Sequence, residues 1–243
     1  MRILITNDDG IQGEGLLHLV NWARKLGEVV VAAPKVEQSA KSHTIEIHKC
    51  FEAKEVAYLP GVTAYAVDSS PADCVRFMVL GLKQKFDLVL SGMNRGLNLG
   101  SDIMYSGTVA AVFEAAALGL KAIAVSTAPK SISEAWREMD RIWEFFVRHG
   151  LLEKHPIYNV NIPATAGGEI RITRQGGPYY SDDFLPEEND MYRPKGKPVY
   201  IPTPTENYDT DAVLTNNQIS IMPLTIQRVD LAVYDQLVWL NKE

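Results

Sequence analysis

Four stretches of this chain hold unbroken runs of branched or small apolar residues: Ile3–Ile5, Val29–Ala33, the DLVLS of Asp87–Ser91 and the KAIAVS of Lys121–Ser126. A half-exposed strand alternates apolar and polar residues, because successive side chains point to opposite faces. These runs do not alternate, so a sheet built from them is covered on both faces. Between them lie segments of helical spacing. Leu16, Leu17, Leu19, Val20, Ala23 and Leu26 predict a helix over about residues 14–26, stopped at Gly27. Pro71–Leu82 reads as a second helix, with proline in its first turn. Gly107–Leu118 reads as a third, ended by Gly119, and Ile132–His149 as one long fourth with Trp136, Met139, Ile142, Trp143 and Phe146 on one face. Strands alternating with helices over about 150 residues predict an open, mostly parallel α/β sheet.

Beyond about residue 150 the character changes. Nine of the thirteen prolines fall from Pro156 onward. Tyr158–Ile162 and Ile219–Ile221 read as strands, and about Asp230 to Leu240 reads as a helix. Gly176–Pro204 is loop-rich and acidic, which suits an exposed hairpin or arm. The expected division is a catalytic α/β domain over 1–150 and a segment over 151–243 with a hairpin arm and a terminal helix.

The net charge of -6 argues against a nucleic-acid polymer or a membrane surface as partner, since both favour a basic face. The two cysteines, Cys50 and Cys74, form no CxxC pair and read as free thiols. The apolar run in MRILITNDDG is too short for a signal peptide or a span, so a cytoplasmic protein is expected.

In open α/β sheets, ligands bind beyond the carboxyl ends of the strands. The first strand here ends in Asn7-Asp8-Asp9-Gly10, where a dinucleotide fold would carry G-x-G-x-x-G. Two acids would repel a phosphate by roughly 4 kcal/mol per charge pair at 4 Å and an effective dielectric of about 20. A hard cation on them reverses that sign, with phosphate as its outer ligand. Capping of the next helix accounts for one of the two acids and leaves the second unexplained.

Two further blocks supply ligands of matching chemistry. SGMNRGLNLG places Gly92, Gly96 and Gly100 four residues apart, with Asn94 and Asn98 between them. Asparagine oxygens are neutral ligands for Mg²⁺, Mn²⁺ or Ca²⁺, and asparagine amides can donate to phosphate. Ser106-Gly107-Thr108 precedes an Ala-rich helix, either as an anion site at its positive end or as a plain N-cap. Ser39 stands after the second strand as a metal ligand or phosphate contact, and His43 as a phosphate donor, an acid or a structural residue. The chain has no Walker loop, no G-x-S-x-G and no H-E-x-x-H.

ITNDDGI, SAKSHTIEI, SSPADCV, SGMNRGLNLG and MYSGTVAAVFEA, with TDA at Thr210–Ala212 and ISIMPL at Ile219–Leu224, resemble the SurE family of survival-protein nucleotidases. The resemblance spans nearly the whole chain. Leu97 departs from the family's usual proline, Ser69-Ser70 from Gly-Thr, and Met222 from threonine. It implies a Rossmann-like three-layer sandwich with a C-terminal β-rich arm that exchanges between subunits of a homodimer or homotetramer. It implies a 5′-nucleotidase acting on nucleoside monophosphates, with 3′-nucleotides or polyphosphate as further substrates. Asp8, Asp9, Ser39 and Asn94 would hold one divalent metal per subunit, Mg²⁺ or Mn²⁺. Asn98 and Ser106-Gly107-Thr108 would surround the phosphate, with Asp8, Asn98 and Ser106 catalytic. Water attack and a covalent Asp8 phosphate both remain open, as does a binding module without turnover.

Overall fold

The computed structural model describes residues 1–165, 167–203 and 207–242. The first apolar run forms β1 (Arg2–Thr6), followed by α1 (Glu14–Ala23), β2 (Glu28–Pro34) and the hairpin of β3 (Ala53–Leu59) and β4 (Val62–Val67). Next come α2 (Pro71–Arg76), extended by a π-helical turn to Gly81, then β5 (Leu88–Arg95), α3 (Gly107–Ala117) and β6 (Ala122–Thr127). Three short helices follow: α4 (Ile132–Ala135), α5 (Met139–Arg148) and α6 (Leu151–Lys154). They lead to β7 (Ile157–Ile162) and β8 (Ile170–Ile172). An arm carries β9 (Tyr180–Ser181), β10 (Phe184–Pro186), β11 (Tyr192–Pro194) and β12 (Lys197–Pro198). Last come β13 (Ile219–Pro223) and α7 (Leu231–Leu237).

Among the described residues, one nine-stranded sheet runs in the order β3-β4-β2-β1-β5-β6-β7-β13-β8. The six strands from β4 to β7 are mutually parallel, and β3 and β13 pair antiparallel with their inner neighbours. Both faces are covered, as the unbroken apolar runs require. Ile3 and Ile5 face a core shared with Leu16, Leu19 and Val20 of α1 and Met139, Ile142 and Phe146 of α5. Leu4, between them, faces the opposite core with Cys74 and Val75 of α2 and Val109 and Val112 of α3. Each such side chain buried contributes roughly 1.5–3 kcal/mol of transfer free energy. The result is a three-layer α/β sandwich.

The chain leaves β1 toward β2 on one side and returns to β5 on the other, so the strand order reverses between β1 and β5. That reversal opens a crevice at their carboxyl ends. It lies where Asp8, Asp9 and the glycine–asparagine loop begin.

The structure departs from the sequence reading in three places. The irregular middle contains the β3–β4 hairpin, turned at Pro60-Gly61 with Gly61 at φ +77°. The helix expected as one piece over Ile132–His149 is interrupted by a 3₁₀ turn at Trp136–Glu138. Buried Glu138 accepts there from the Gly167 amide and from Arg141, a tie that helical spacing does not reveal. The sheet also continues past residue 150, since β7, β13 and β8 extend it. The expected arm is present as two short antiparallel pairs, β9–β12 and β10–β11. Pro204, the end of the predicted loop-rich stretch, lies outside the described residues.

Helix α1 approaches the end of β5 through Gly15, where an added Cβ would lie 1.9 Å from the Met93 carbonyl oxygen. Alanine gains about 1 kcal/mol over glycine inside an ordinary helix. Here the clash reverses the sign. Gly15→Ala is expected to lower stability by about 1–3 kcal/mol in urea unfolding; an increase would show that α1 tolerates displacement from β5.

Candidate functional site

The turn after β1 is held by Asn7. Its Nδ2 donates to the Gly10 carbonyl at 2.9 Å, and the Gly10 amide donates to its Oδ1 at 3.2 Å. Gly10 adopts φ +92°, which side chains disfavour. Asp8 is buried beside the start of α3, where the Thr108 hydroxyl donates to its Oδ1. Gly107 passes so close that an added Cβ would lie 3.0 Å from the Asp8 Cβ. Asp9, half-buried, accepts from the Arg95 amide at 3.2 Å. Asn94 follows a slip in the β5–β6 register after Gly92, a bulge that re-aims a side chain at a strand end. Its Nδ2 donates to the Gly96 carbonyl at 2.8 Å, which leaves Oδ1 as its ligating end.

Asp8, Asp9, Ser39, Asn94, Asn98 and Ser106 all line one cavity of about 630 Å³. Thr108 and Gly107 stand behind Asp8 and are not part of the lining. The Thr108 hydroxyl is committed to Asp8, and its backbone amide also supports that carboxylate. Ser106 is the N-cap of α3, with Oγ accepting from the Val109 amide at 3.1 Å. Its hydroxyl proton remains available. Asn98 is fixed to the sheet: its side-chain amide donates to Ser126 Oγ, and its carbonyl accepts from Asn159 and Asn161. Ser39 Oγ donates to Glu37 at 2.6 Å. His43 is not part of the cavity lining; it meets Glu114 at 2.9 Å, and Arg76 donates to the same carboxylate.

The lining carries the carboxylates Asp8, Asp9, Glu14, Glu37 and Asp102 against the single guanidinium of Arg95. Burial pushes the Asp8 carboxyl up to about 6, and the neighbouring charge of Asp9 adds to this against the Thr108 hydrogen bond. Burial likewise raises Asp9, helped by Glu37 and opposed by the amide and charge of Arg95. Among the described residues no ion pair reaches either acid, and no three His, Cys, Asp or Glu side chains form a metal-binding group. Two destabilised carboxylates with neutral amide and hydroxyl oxygens fit a hard divalent ion. They do not fit a soft-metal centre.

The family model described as Survival protein SurE matches residues 3–182. The chain belongs to the SurE family. It is 38% identical to the 5′-nucleotidase SurE of Thermoanaerobacter sp. (strain X514), over 99% of this chain and 97% of that one. It is 36% identical to the 5′-nucleotidase SurE of Alkaliphilus metalliredigens, over the full length of both. The crystal structure of the SurE protein from Aquifex aeolicus superposes with a TM-score of 0.79 at 29% identity, covering 99% of this chain and all of that one.

Within this SurE chain the cavity also includes Glu37, Asp102, Tyr105, Tyr179 and Tyr180, which motif reading did not assign to the metal or the phosphate. Glu37 had a local signal, two residues before Ser39. The Gly176–Tyr180 turn reads in the sequence as either a nucleoside contact or a surface loop, whereas Asp102 had no signal, because the contact joining it to that turn spans 77 residues.

Asp8 holds its proton more tightly in the folded chain than at the ordinary value of 3.8. Metal-free protein therefore loses stability as pH rises from about 4 through about 6, by up to about 3 kcal/mol from this group. Asp8→Asn is expected to be more stable than wild type at pH 8 in chelator, with the gap closing toward pH 5. Urea melts at both pH values check this; a variant less stable at pH 8 would show that the carboxylate is not strained.

Proposed function

We propose that the protein is a metal-dependent 5′-nucleotidase that hydrolyses nucleoside monophosphates. The observation that carries this reading is the pairing of two uncompensated carboxylates with the amino end of α3 across one crevice. The names of the SurE relatives support the same reaction class. Asp8, Asp9, Ser39 and Asn94 would hold one Mg²⁺ or Mn²⁺. When bound, such an ion neutralises phosphate charge and lowers the pKa of water.

The chain's own groups orient the phosphoryl group. The Gly107 amide is a first-turn donor of α3 without an intrahelical partner and the helix dipole adds to it, while the Thr108 amide acts through Asp8. The Ser106 hydroxyl donates beside them, and Asn98 supplies a side chain locked by Ser126. Such preorganised donors stabilise charge that develops in transfer. Asp8, oriented by Thr108, acts as a ligand and accepts the proton of the attacking water. Direct attack predicts that no phosphorylated Asp8 is trapped by acid quench. 3′-Nucleotides and the ends of polyphosphate chains are proposed as further substrates.

Purified protein is expected to release phosphate from nucleoside monophosphates with Mg²⁺ or Mn²⁺ and to stop in chelator. Asp9→Asn is expected to weaken metal dependence by at least ten-fold, read from the metal concentration giving half-maximal rate. Phosphate release indifferent to chelator would sink the metal reading, and no release at all would favour a binding module.

The protein is further read as a cytoplasmic homodimer or homotetramer. Cys50 is a free, exposed thiol, which suits a reducing compartment, and no described helix is long and apolar enough to cross a membrane. Phe184, Met191 and Tyr192 on the arm are exposed, and so are Leu231, Val233, Tyr234 and Leu237 of α7. A helix of seven residues with none buried is not stable alone in water. Sedimentation at micromolar concentration is expected to give at least twice the 27.0 kDa chain mass; a monomer alone would exclude this assembly.

A further inference from the structure

The turn of residues 176–180 reaches the cavity from the far side of the sequence, and two carboxylates hold it there. Asp209 is fully buried. Its Oδ2 accepts from the Gly100 amide at 2.8 Å, and its Oδ1 accepts from the amides of Gly176 and Thr210, each at 2.8 Å. Every hydrogen bond it accepts comes from backbone, so its role is to join loops. The join is close-packed: Gly100 adopts φ +56°, and an added Cβ there would lie 1.8 Å from the Gly177 carbonyl oxygen. Asp102, two residues on, accepts from the amides of both Tyr179 (2.9 Å) and Tyr180 (2.7 Å).

The clamp therefore delivers two adjacent aromatic rings to a polar cavity. Tyr179 and Tyr180 pack edge to face at 4.6 Å between centroids, and both line the cavity that holds Asp8 and Asp9. A phosphate and its metal use the carboxylates, Asn94 and the start of α3. Aromatic faces have no role toward those groups, whereas a nucleobase stacks on them whatever its identity. About 630 Å³ leaves room for a nucleoside beyond the phosphate.

We propose that Asp209 is a positioning residue for base recognition: with Asp102 it clamps the 176–180 turn to the Gly100 loop and sets Tyr179 and Tyr180 as the wall on which the nucleobase stacks. The inference rests on the nucleotidase reading. Removing the Asp209 charge leaves three buried amides competing for one acceptor oxygen, and the turn is then free to leave the cavity.

The test compares AMP with ribose 5-phosphate, which keeps the sugar and phosphate and lacks the base. Asp209→Asn, Asp102→Ala and Tyr180→Ala are measured in the full chain with Mg²⁺, alongside adenosine binding by calorimetry. The ratio of kcat/KM for AMP over ribose 5-phosphate is expected to fall about ten-fold in each, chiefly through the KM for AMP, and adenosine affinity to weaken by a similar factor. A ratio unchanged from wild type, or adenosine affinity unaltered, would overturn the proposal. Equal loss on both substrates would overturn it too, assigning Asp209 to fold integrity alone. Should Asp209→Asn fail to fold, the exposed Tyr180 and half-buried Asp102 variants test the same clamp. Wild-type protein inactive on both substrates would remove the nucleotidase reading, while the adenosine titrations would still decide the wall.

Discussion

Two carboxylates side by side at the end of a buried strand create an electrostatic problem that the neighbouring structure is arranged around. Asp8 sits in the protein with its proton affinity raised by burial and by Asp9. The nearest compensation is partial: one hydroxyl from Thr108 and the amino end of α3. Neither neutralises the pair, and Arg95 offers Asp9 a backbone amide and a more distant charge. A site left this short of positive charge is the basis for the proposed cation, and through it for an anionic substrate. Stability given up at such a site is what function commonly requires.

The sheet decides which groups meet that charge. Reversal of strand order between β1 and β5 brings Asp8-Asp9 and Asn94 together across 86 residues of sequence. The approach distances are set by missing side chains. Gly15 lets α1 meet Met93, and Gly107 lets α3 meet Asp8. The Gly15 contact is shorter than a Cβ permits, and at Gly107 a Cβ would force Asp8 to give by a few tenths of an ångström, so these glycines serve close approach more than flexibility.

The segment after residue 150 serves two ends. Through β7, β13 and β8 it completes the sheet, and Asn159 and Asn161 of β7 anchor the backbone at Asn98. Through Asp209 and the 176–180 turn it reaches back over the Gly100 loop to the cavity. An appendage by composition thus contributes to the same crevice as the first strand. Apolar residues of its arm and of α7 are exposed, which is the basis for the proposed assembly.

Much of this protein was legible in local sequence because the determining forces are local or periodic. Unbroken apolar runs implied a sheet buried on both faces, and adjacent acids at a strand end implied a cation. Ser106 read as either an N-cap or an anion turn, and the structure shows the cap. The β3–β4 hairpin was missed although Pro60-Gly61 marks its turn, since half-exposed strands carry a weaker pattern. The break at Trp136–Glu138 had no local signal, because Glu138 turns inward to satisfy an amide at Gly167. Tertiary structure alone decided that Thr108 serves Asp8, that His43 pairs with Glu114 outside the cavity lining, and that Asp209 joins loops 100 and 176. Those choices depend on hydrogen bonds between segments 33 to 109 residues apart, and residue order does not record such distances.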